Sequence, residues 1–501
     1  MQGVKDRSWR ILESVRWPQN LWLGLILALA TGTRLFGLTF QSLRFDEHFS
    51  RSTSSIHSLL EAIHRGAVAD LHPPGYCVFL HFIIEAFGDA EWTIRFPSAI
   101  AGVLGVYFVY RLGRELFSAR IGLTSAALCA VAEQPVQFSQ DARAYSLMML
   151  GSTVCTLLAV RIQRSQASPS RTRMLVMFVL AATATSYLHY FGLLMVFLLG
   201  LFQLMSVVRK RLSLRIWLVA YLVPTLLYTP WLSFMFEHAQ RTRSWMRPPL
   251  SHKVLAGVTL QLTGHATWLV LAILAAGTWV YFARYRSTLA CEHAHTWDFT
   301  LLALVGWVLT PLVAGALISQ VTPPVLSGRN MIIAEPAVLI FSGWALTVLD
   351  ASFPKGRGLV SIGVVAVFFV HLVFVRHYYT KPRYPAFRDV AEFIARQANS
   401  EAKPPFVIAP RGWAIYLDYY WNRREIVGKL HRYDLKITAS ERNLKRKVAA
   451  LHPDMAFLID DSRDGRARFP RSLPGYHLAN QQHFFRVDVL EFSRSPRPPS
   501  K

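Results

Sequence analysis

Long apolar runs alternate with short polar segments along most of the chain. A run of about twenty mostly apolar residues is long enough to cross the hydrocarbon core of a bilayer. Runs of this kind lie at 20–40, 95–112, 119–138, 144–161, 174–190, 190–208, 214–234, 266–283, 299–319, 330–350 and 358–376. The pattern therefore predicts an α-helical polytopic membrane protein with about 11 transmembrane helices.

One apolar segment, residues 76–87, is too short to be a typical span. Pro73-Pro74 precede it and Gly88-Asp89 follow it. An apolar run of about a dozen residues is more typical of an interfacial or re-entrant helix than of a helix that crosses the bilayer. We therefore predict that this segment does not span.

The pattern changes after residue 376. Short apolar runs at 405–409 and 455–460 are typical of buried strands, and residues 384–394 and 414–421 have helical periodicity. Alternating strands and helices predict a small α/β domain over 377–501. Its last residues, 493–501, are rich in Pro, Ser and Arg and are expected to be disordered.

Composition supports a membrane protein. The 501 residues are 52% hydrophobic and 17% charged, and the mean hydropathy is +0.29. These values exclude an ordinary soluble globular protein. The formal net charge of +24 would fit nucleic-acid binding, but the basic residues cluster between apolar runs, which is typical of cytoplasmic loops. We therefore expect membrane lipids as partners and no nucleic acid.

The basic clusters also predict the topology. If the N-terminus is cytoplasmic and residues 76–87 do not span, every cytoplasmic loop carries a cluster of arginines or lysines. The clusters are Lys5, Arg7, Arg10 and Arg16; Arg111, Arg114 and Arg120; Arg161, Arg164, Arg171 and Arg173; Arg209, Lys210, Arg211 and Arg215; Arg284 and Arg286; Lys355 and Arg357. The loops 41–94, 139–143, 235–265 and 320–329, and everything after 376, then face outside.

Two other features of the sequence limit the alternatives. Ala28-Leu29-Ala30 resembles a signal-peptide cleavage site, but the apolar run continues to Phe40, so we predict an uncleaved span. The four cysteines are Cys77, Cys129, Cys155 and Cys291. None lies in the last two hundred residues, which excludes a disulfide framework in the C-terminal region.

Four polar patches fall on the predicted outer face. Asp46-Glu47 follow the first span; the others are His72-Pro73-Pro74-Gly75-Tyr76 with Arg95-Phe96-Pro97-Ser98, Gln140-Asp141-Ala142-Arg143-Ala144-Tyr145, and Ser327-Gly328-Arg329-Asn330. Acids at the edge of a bilayer are functional-site candidates, although they can also simply begin a solvated loop. Likewise, arginines at span ends can extend to headgroups and Tyr145 can belong to an aromatic belt.

The outer arginines favour a binding role. Outer loops are normally poor in basic residues, yet this face is predicted to carry Arg95, Arg143, Arg241, Arg243, Arg247 and Arg329. A guanidinium binds phosphate with two parallel hydrogen bonds. Arginines around one carboxylate suit an anionic lipid phosphate that meets a nucleophile.

These motifs, in this order, resemble the lipid-linked-sugar glycosyltransferases of the GT-C superfamily. The similarity is to family 39-like members, the bacterial relatives of dolichyl-phosphate-mannose protein mannosyltransferases and lipid A aminoarabinose transferases. The residues that carry it are Phe45-Asp46-Glu47, the motifs around His72, Arg95 and Arg143, Tyr228-Thr229-Pro230-Trp231, and Arg329. The sequence departs from the family at Gly328, where a bulky hydrophobe or aromatic residue is usual.

The resemblance implies a GT-C fold and an inverting transfer of a sugar from a polyprenyl-phosphate donor to an acceptor hydroxyl. The site would lie at the outer face of a bacterial-type cytoplasmic membrane. Inversion is a single displacement, so one general base suffices. Asp46 is the expected base and Glu47 the residue that orients it. Arg143 and Arg329 are the expected donor-phosphate ligands, His72 and Tyr145 support them, and Arg95 and Gln140 complete the substrate-binding set.

Some alternatives stay open from the sequence. Asp46, Glu47, His48 and His72 are residue types that can hold a divalent metal, although the expected cofactor set is none. A many-span lipid or glycolipid transporter or flippase is a different class, but the paired Gly/Pro-broken spans of a midplane site are missing from the sequence. A sugar-binding or scaffolding descendant of such an enzyme is a third.

Overall fold

In a computed structural model of the 501-residue chain, the described residues are 18–69, 72–165, 168–241, 251–286, 291–321, 325–353, 358–398, 406–410, 414–422, 431–435, 454–460, 473 and 475–494. The expected disordered tail lies almost wholly outside them, as do Arg243 and Arg247. The chain divides into two compact units. The first contains Met1–Leu38 and Ser50–Tyr378, and the second contains Thr39–Phe49 and Tyr379–Lys501.

Helices make up the described part of the first unit. They are α1 Gln19–Leu35, α2 Phe45–Ser54 (which begins in the second unit), α3 Leu59–Ala69, α4 Gly75–Phe87, α5 Glu91–Leu116, α6 Ala119–Val131, α7 Glu133–Ser139, α8 Tyr145–Arg164, α9 Pro169–Leu188, α10 Tyr190–Val208, α11 Leu214–Tyr228, α12 Leu232–Arg241, α13 His252–Thr263, α14 Thr267–Val280, α15 Cys291–Val321, α16 Glu335–Ala351 and α17 Leu359–Val370. Short 3-10 helices at Thr229–Trp231, Gly264–Ala266 and Gly328–Ala334 and π-helical turns at Tyr281–Tyr285 and His371–Val375 extend or connect them.

Seven helical segments of the described chain are long and apolar enough to cross a membrane. They are Glu91–Leu116, Tyr145–Arg164, Tyr190–Val208, Leu214–His238, His252–Tyr285, Thr296–Gln320 and Gly328–Ala351. The other four predicted spans coincide with α1, α6, α9 and α17, which are helices but are shorter or more polar. An integral membrane protein is therefore confirmed, whereas the number eleven stays a prediction.

The predicted outer loop 41–94 contains helices rather than irregular chain. α2, α3 and α4 occupy most of it. α4 has 13 residues, so at about 1.5 Å per residue it extends about 20 Å and falls short of a bilayer core of about 30 Å. Its length agrees with a helix that does not span.

Glycines allow α5 and α6 to pack backbone against backbone. A Cβ on Gly113 would lie 3.0 Å from Cα of Gly122, and a Cβ on Gly122 would lie 2.5 Å from the carbonyl oxygen of Tyr110. Small residues at such a crossing are the usual way for membrane helices to gain van der Waals contact, because lipid tails supply no hydrophobic driving force between helices.

The second unit is built on a mixed five-stranded sheet in the order β2-β1-β3-β5-β4. The strands are β1 Phe406–Pro410, β2 His431–Leu435, β3 Met455–Asp460, β4 Tyr476–Phe484 and β5 Val487–Arg494. β1 pairs in parallel with β2 and β3, and β5 pairs antiparallel with β3 and β4. Two helices, α18 Phe387–Ala398 and α19 Ala414–Asn422, belong to this unit. The strands and helices expected from the sequence are present, with ends shifted by a few residues.

The division into units differs from the predicted one at a single place. The larger part of the second unit begins at Tyr379, close to the expected boundary at 376/377. The second unit also includes Thr39–Phe49. The short segment that carries Asp46 and Glu47 therefore groups with the C-terminal part of the chain and not with the helices that precede and follow it.

Gly328 is enclosed by the backbone of α13. A Cβ at this position would lie 2.3 Å from the carbonyl oxygen and 2.7 Å from the carbonyl carbon of Gly257. No side chain can be placed there without moving α13 or the 3-10 helix Gly328–Ala334. The glycine at this position therefore permits a close approach of two backbones.

We expect Gly328→Ala to destabilise the protein. The added methyl must displace the backbone of Gly257, and overpacking of this kind costs about 1–3 kcal/mol. The measurement is thermal unfolding in detergent, where the midpoint should fall by several degrees. Gly306→Ala, in α15, is the matched control, because a Cβ there meets no atom within 4 Å. Equal midpoints for the two variants would contradict this account of the contact.

Candidate functional site

Three of the predicted site residues surround one small cavity in the first unit. His72, Arg143 and Tyr145 line it, together with Tyr76, His189 and four smaller or apolar residues, and its volume is about 10 Å³. Arg143 and Tyr145 come from the turn before α8, His72 from the turn before α4, and His189 from the junction of α9 and α10. Motifs separated by more than a hundred residues thus converge here.

Arg143 is held from two sides. Its Nη1 donates to the Oγ of Ser50 at 2.8 Å, and its own carbonyl accepts a hydrogen bond from the Oγ of Ser98 at 3.2 Å. Its side chain is largely buried. A buried guanidinium fixed in this way presents its charge in one direction, which suits binding of an anion more than a loosely held surface arginine would.

Aromatic rings form part of the cavity wall. The rings of His72 and His189 lie 4.6 Å apart between centroids, and the ring of Tyr145 lies 6.3 Å from His189 and 4.8 Å from Phe138. The Nδ1 of His189 accepts a hydrogen bond from the backbone N–H of Phe191 at 3.1 Å and so caps α10. This bond assigns the Nδ1 lone pair to the helix and orients Nε2 away from it.

Sequence reasoning did not single out His189. The available signal was its position: it is a polar residue at the junction of two apolar runs, 174–190 and 190–208. A polar side chain at such a junction most often only caps a helix. His189 does cap α10, and it also lines the cavity.

Two other predicted substrate ligands have structural partners. The guanidinium of Arg95 is buried and its Nη1 donates to the carbonyl of Leu38 at 2.9 Å. The amide of Gln140 donates to the carbonyls of Arg34 and Phe36 at 3.1 and 2.8 Å. Both side chains therefore secure the chain that leaves α1, and neither lines the cavity around Arg143.

Arg329 has a different environment from Arg143. It lies in the 3-10 helix that leads into α16, its side chain is exposed, and it is not among the residues that line the cavity. An exposed arginine at a span end can bind an anionic lipid phosphate or extend to headgroups. Its assignment as a donor ligand stays a prediction.

The two neighbouring acids differ in burial. Glu47 is fully buried, and its Oε2 accepts a hydrogen bond from the backbone N–H of Arg44 at 2.9 Å. Glu47 is the third residue of α2, and its carboxylate satisfies the N–H of the residue just before the helix, as in a capping box. The carboxylate of Asp46 keeps about a third of its surface exposed and lies 3.9 Å from the Arg44 guanidinium. Of the two acids, Asp46 is therefore the one that is accessible to solvent.

A second buried acid was also missed in the sequence. The Oε2 of Glu133 lies 2.7 Å from Nδ1 of His265, and its Oε1 accepts a hydrogen bond from Nε of Arg376 at 3.1 Å. The contacts join α7, the 3-10 helix Gly264–Ala266 and the end of the last span. The signal was an acid within the apolar run 119–138, which must find a partner when it is buried.

The residue types that could hold a metal were also tested against the structure. Among the described residues, no group of three or more His, Cys, Asp and Glu side chains is arranged to hold a metal ion. The metal set considered in the sequence, Asp46, Glu47, His48 and His72, thus gains no support from the geometry, and metal use remains to be tested.

Comparison with known proteins gives a match to one family model and matches to several solved structures. Residues 71–234 match the family model of dolichyl-phosphate-mannose-protein mannosyltransferases. This segment holds His72, Arg95, Gln140, Arg143 and Tyr145 and leaves out Asp46, Glu47 and Arg329. No curated protein matches the sequence.

Solved structures of similar fold cover nearly the whole chain. ArnT from Cupriavidus metallidurans in the apo state is 16% identical, with 95% of this chain and 98% of that chain covered and a TM-score of 0.57. The same protein bound to undecaprenyl phosphate is 14% identical, with 94% and 98% covered and a TM-score of 0.56.

The archaeal oligosaccharyltransferase AglB from Archaeoglobus fulgidus, in complex with an inhibitory peptide and a dolichol-phosphate, is 11% identical. The alignment covers 88% of this chain and 69% of AglB, with a TM-score of 0.54. The resemblance stated from the motifs is confirmed at this level. The chain has a GT-C fold, and its residues 71–234 are similar to the family model of dolichyl-phosphate-mannose-protein mannosyltransferases.

Proposed function

We propose that this protein is an inverting glycosyltransferase. It moves a sugar from a polyprenyl-phosphate-linked donor to an acceptor hydroxyl of a protein, a lipid or an envelope glycan. The observation that carries the proposal is the cavity in which buried Arg143 meets His72 and Tyr145, inside a chain of GT-C fold. A buried guanidinium beside polar rings suits binding of a phosphate. The cavity itself has room for about one water, so the sugar would lie outside it.

The donor side is assigned to Arg143, with Arg329 as the second ligand. A lipid phosphate leaves with a negative charge, and fixed cations that face it stabilise the charge as it develops. Undecaprenyl phosphate bound to ArnT supports a polyprenyl phosphate as the lipid carrier. The rings of His72 and Tyr145 line the same cavity as the Arg143 guanidinium and support the bound phosphate.

The acceptor side is assigned to Asp46. Its carboxylate takes the proton from the acceptor hydroxyl as the oxygen attacks the anomeric carbon. The new glycosidic C–O bond forms while the bond to the donor phosphate breaks, and the lipid phosphate leaves with that electron pair. One displacement inverts the anomeric centre and needs no covalent sugar–enzyme intermediate. Glu47 holds the first turn of α2, on which Asp46 lies.

The reaction is proposed to take place at the outer face of a bacterial-type cytoplasmic membrane, with the N-terminus inside and the C-terminal unit outside. The support is the distribution of basic residues, because the topology that makes 76–87 a non-spanning helix puts a basic cluster in every cytoplasmic loop. Polyprenyl-phosphate sugars presented at that face would enter from the lipid phase.

We expect Asp46→Asn to abolish transfer. Loss of a general base lowers the rate by about 10²–10⁴-fold, whereas binding of undecaprenyl phosphate should be retained, since Asp46 does not hold the phosphate. The measurement is mass spectrometry of envelope glycans and glycoproteins from cells that produce the wild type, the variant or no protein. Only the wild type should add a sugar.

Glu61→Gln is the matched control for this substitution. Glu61 is an exposed acid of the same outer segment, and its carboxylate pairs with Arg65 at 3.1 Å. It should transfer sugar like the wild type. If Asp46→Asn transfers sugar at the wild-type rate, the base is elsewhere; if the wild type forms no glycoside and only changes the sidedness of the lipid-linked sugar, the protein is a transporter.

We expect Arg143→Lys and Arg329→Lys to lower turnover more than they raise the apparent donor KM. A lysine keeps the charge but cannot form the two parallel hydrogen bonds of a guanidinium. Loss of stabilisation in the transition state should reduce kcat by about tenfold to a hundredfold. Steady-state kinetics in nanodiscs, with donor and acceptor both varied, measures this. A change confined to the acceptor KM would exclude the substituted arginine as a phosphate ligand.

A further inference from the structure

The segment Thr39–Phe49, here named the acid segment, is held by the C-terminal part of the second unit. It carries Asp46 and Glu47, and it groups with Tyr379–Lys501 across more than 300 intervening residues. A segment of this length has too little apolar surface to fix its own conformation, so the contacts that it makes determine where its side chains point.

Two side chains of the C-terminal part bind the backbone of the acid segment. The hydroxyl of Tyr420 accepts a hydrogen bond from the N–H of Leu43 at 2.9 Å. The Nη2 of Arg388 donates to the carbonyls of Thr39 and Gln41 at 2.8 and 3.2 Å. Since Leu43 is buried, its N–H has no access to water and depends on a protein partner.

The side chain of Gln41, within the acid segment, binds the backbone of the C-terminal part. Its Nε2 donates to the carbonyl of Lys381 at 3.1 Å, and its Oε1 accepts from the N–H of Arg383 at 2.8 Å. The amide thus satisfies two backbone groups of the chain that follows the last span. Together with Arg388 it secures the beginning of the acid segment on both sides.

The end of the acid segment is fixed by aromatic rings. The ring of His48 meets Tyr416, Tyr419 and Tyr420 at 4.8, 5.3 and 5.9 Å between centroids, each close to edge-on. Tyr416 in turn stacks on Phe387 at 4.1 Å. His48 is fully buried, so the first turn of α2 is anchored two residues after Asp46.

We infer that the C-terminal part of the second unit positions the general base, Asp46. Tyr420 and Arg388 act as positioning residues: they hold the acid segment so that the Asp46 carboxylate keeps one direction, while neither touches the reacting atoms. The inference rests on the proposed function, and it gives the helices α18 and α19 a role in catalysis. A base displaced by about 1 Å can lose a large part of its effect.

Tyr420→Phe tests this with little change in packing. The ring is kept, while the hydroxyl that pairs with the Leu43 N–H is lost. The hydrogen bond limits how far the segment can drift, so we expect kcat to fall roughly threefold to tenfold with the donor KM unchanged. Amide exchange of the peptide 39–49 should become faster, which is a readout independent of activity. Arg388→Ala should act in the same direction.

Controls separate positioning from general instability. Tyr476→Phe removes a hydroxyl from a ring that packs on the sheet core of the same unit, and it should leave kcat and exchange of 39–49 unchanged. In an Asp46→Asn background, Tyr420→Phe should cause no further loss of rate, because residues that act through one group are not additive.

The two ideas fail in different ways. If Asp46→Asn is inactive while Tyr420→Phe and Arg388→Ala change neither kcat nor exchange of 39–49, the positioning role is wrong and the proposed function stands. In the other case, exchange accelerates in both variants while Asp46→Asn is fully active. Tyr420 and Arg388 then hold the acid segment as inferred, but Asp46 is not the base. The inference that they position the base is thereby overturned.

A separate observation in the first unit points to a lipid site. A cavity of about 770 Å³ lies among α1, α6 and α17, and most of its lining is apolar. Its charged side chains are Arg114, Arg120 and Asp350, and Arg120 pairs with Asp350 at 3.3 Å. Asp350 also accepts hydrogen bonds from the N–H of Val360 and the hydroxyl of Ser361. One net positive charge therefore remains in a largely apolar cavity.

We propose that this cavity binds an anionic phospholipid. The acyl chains would contact the apolar walls, and the phosphate would lie at Arg114, beside the N-terminal turn of α6, where helix N–H groups also favour an anion. Basic pockets between membrane helices are a recurrent form of headgroup site. Charge complementarity favours an anionic lipid over a zwitterionic one.

Native mass spectrometry tests the site. The protein is equilibrated with equimolar phosphatidylglycerol and phosphatidylcholine in mixed micelles, and the retained lipid is identified. Arg114→Gln should lower retention of phosphatidylglycerol by about fivefold, and Ala127→Trp, which fills the cavity, should abolish it. Arg111→Gln is the control, since Arg111 contacts Tyr107 and does not line the cavity. Equal retention by Arg114→Gln and Arg111→Gln, or equal retention of the two lipids, would overturn the proposal.

Discussion

A guanidinium at the end of the first span determines how the membrane helices and the outer turns are joined. Arg34 is fully buried, and its Nη1 and Nη2 donate to the carbonyls of Ala130 and Cys129, at 3.1 and 3.0 Å, in the last turn of α6. The carbonyls at a helix C-terminus carry partial negative charge and have no partner within the helix. The contact therefore satisfies a buried cation and a helix end at once, and it fixes α1 against α6.

The same region positions the turn that carries Arg143. The carbonyl of Arg34 accepts a hydrogen bond from Gln140, three residues before Arg143. In α5, a Cβ on Gly102 would lie 2.0 Å from the Oγ of Ser139 and 2.8 Å from Nε of Arg34. The missing side chain thus allows three parts of the chain to meet at one place. The turn that carries Arg143 is therefore fixed by this junction, in addition to the hydrogen bonds of Arg143 with Ser50 and Ser98.

Arginine has three different roles in this protein, and the sequence does not separate them. Arg34 and Arg95 donate to backbone carbonyls, Arg143 lines a polar cavity, and Arg329 is exposed. Arg143 and Arg329 were expected to bind the donor phosphate and Arg95 to bind substrate, because outer arginines violate the usual charge bias. A buried carbonyl also accepts hydrogen bonds from a guanidinium, so the neighbours in three dimensions are needed to recognise a structural arginine.

The sequence by itself determined the helical membrane architecture, the strands β1 and β3 of the second unit and the resemblance to the GT-C superfamily, because hydrophobic period and short motifs are local properties. It also placed His72, Arg143 and Tyr145 in one set. Only the tertiary structure decided that Thr39–Phe49 belongs with Tyr379–Lys501, that His189 joins the cavity and that Gly328 lies against Gly257. Each of these depends on residues far apart in the chain. Such contacts leave no periodic pattern in one sequence, because they are set by how the helices and the sheet pack.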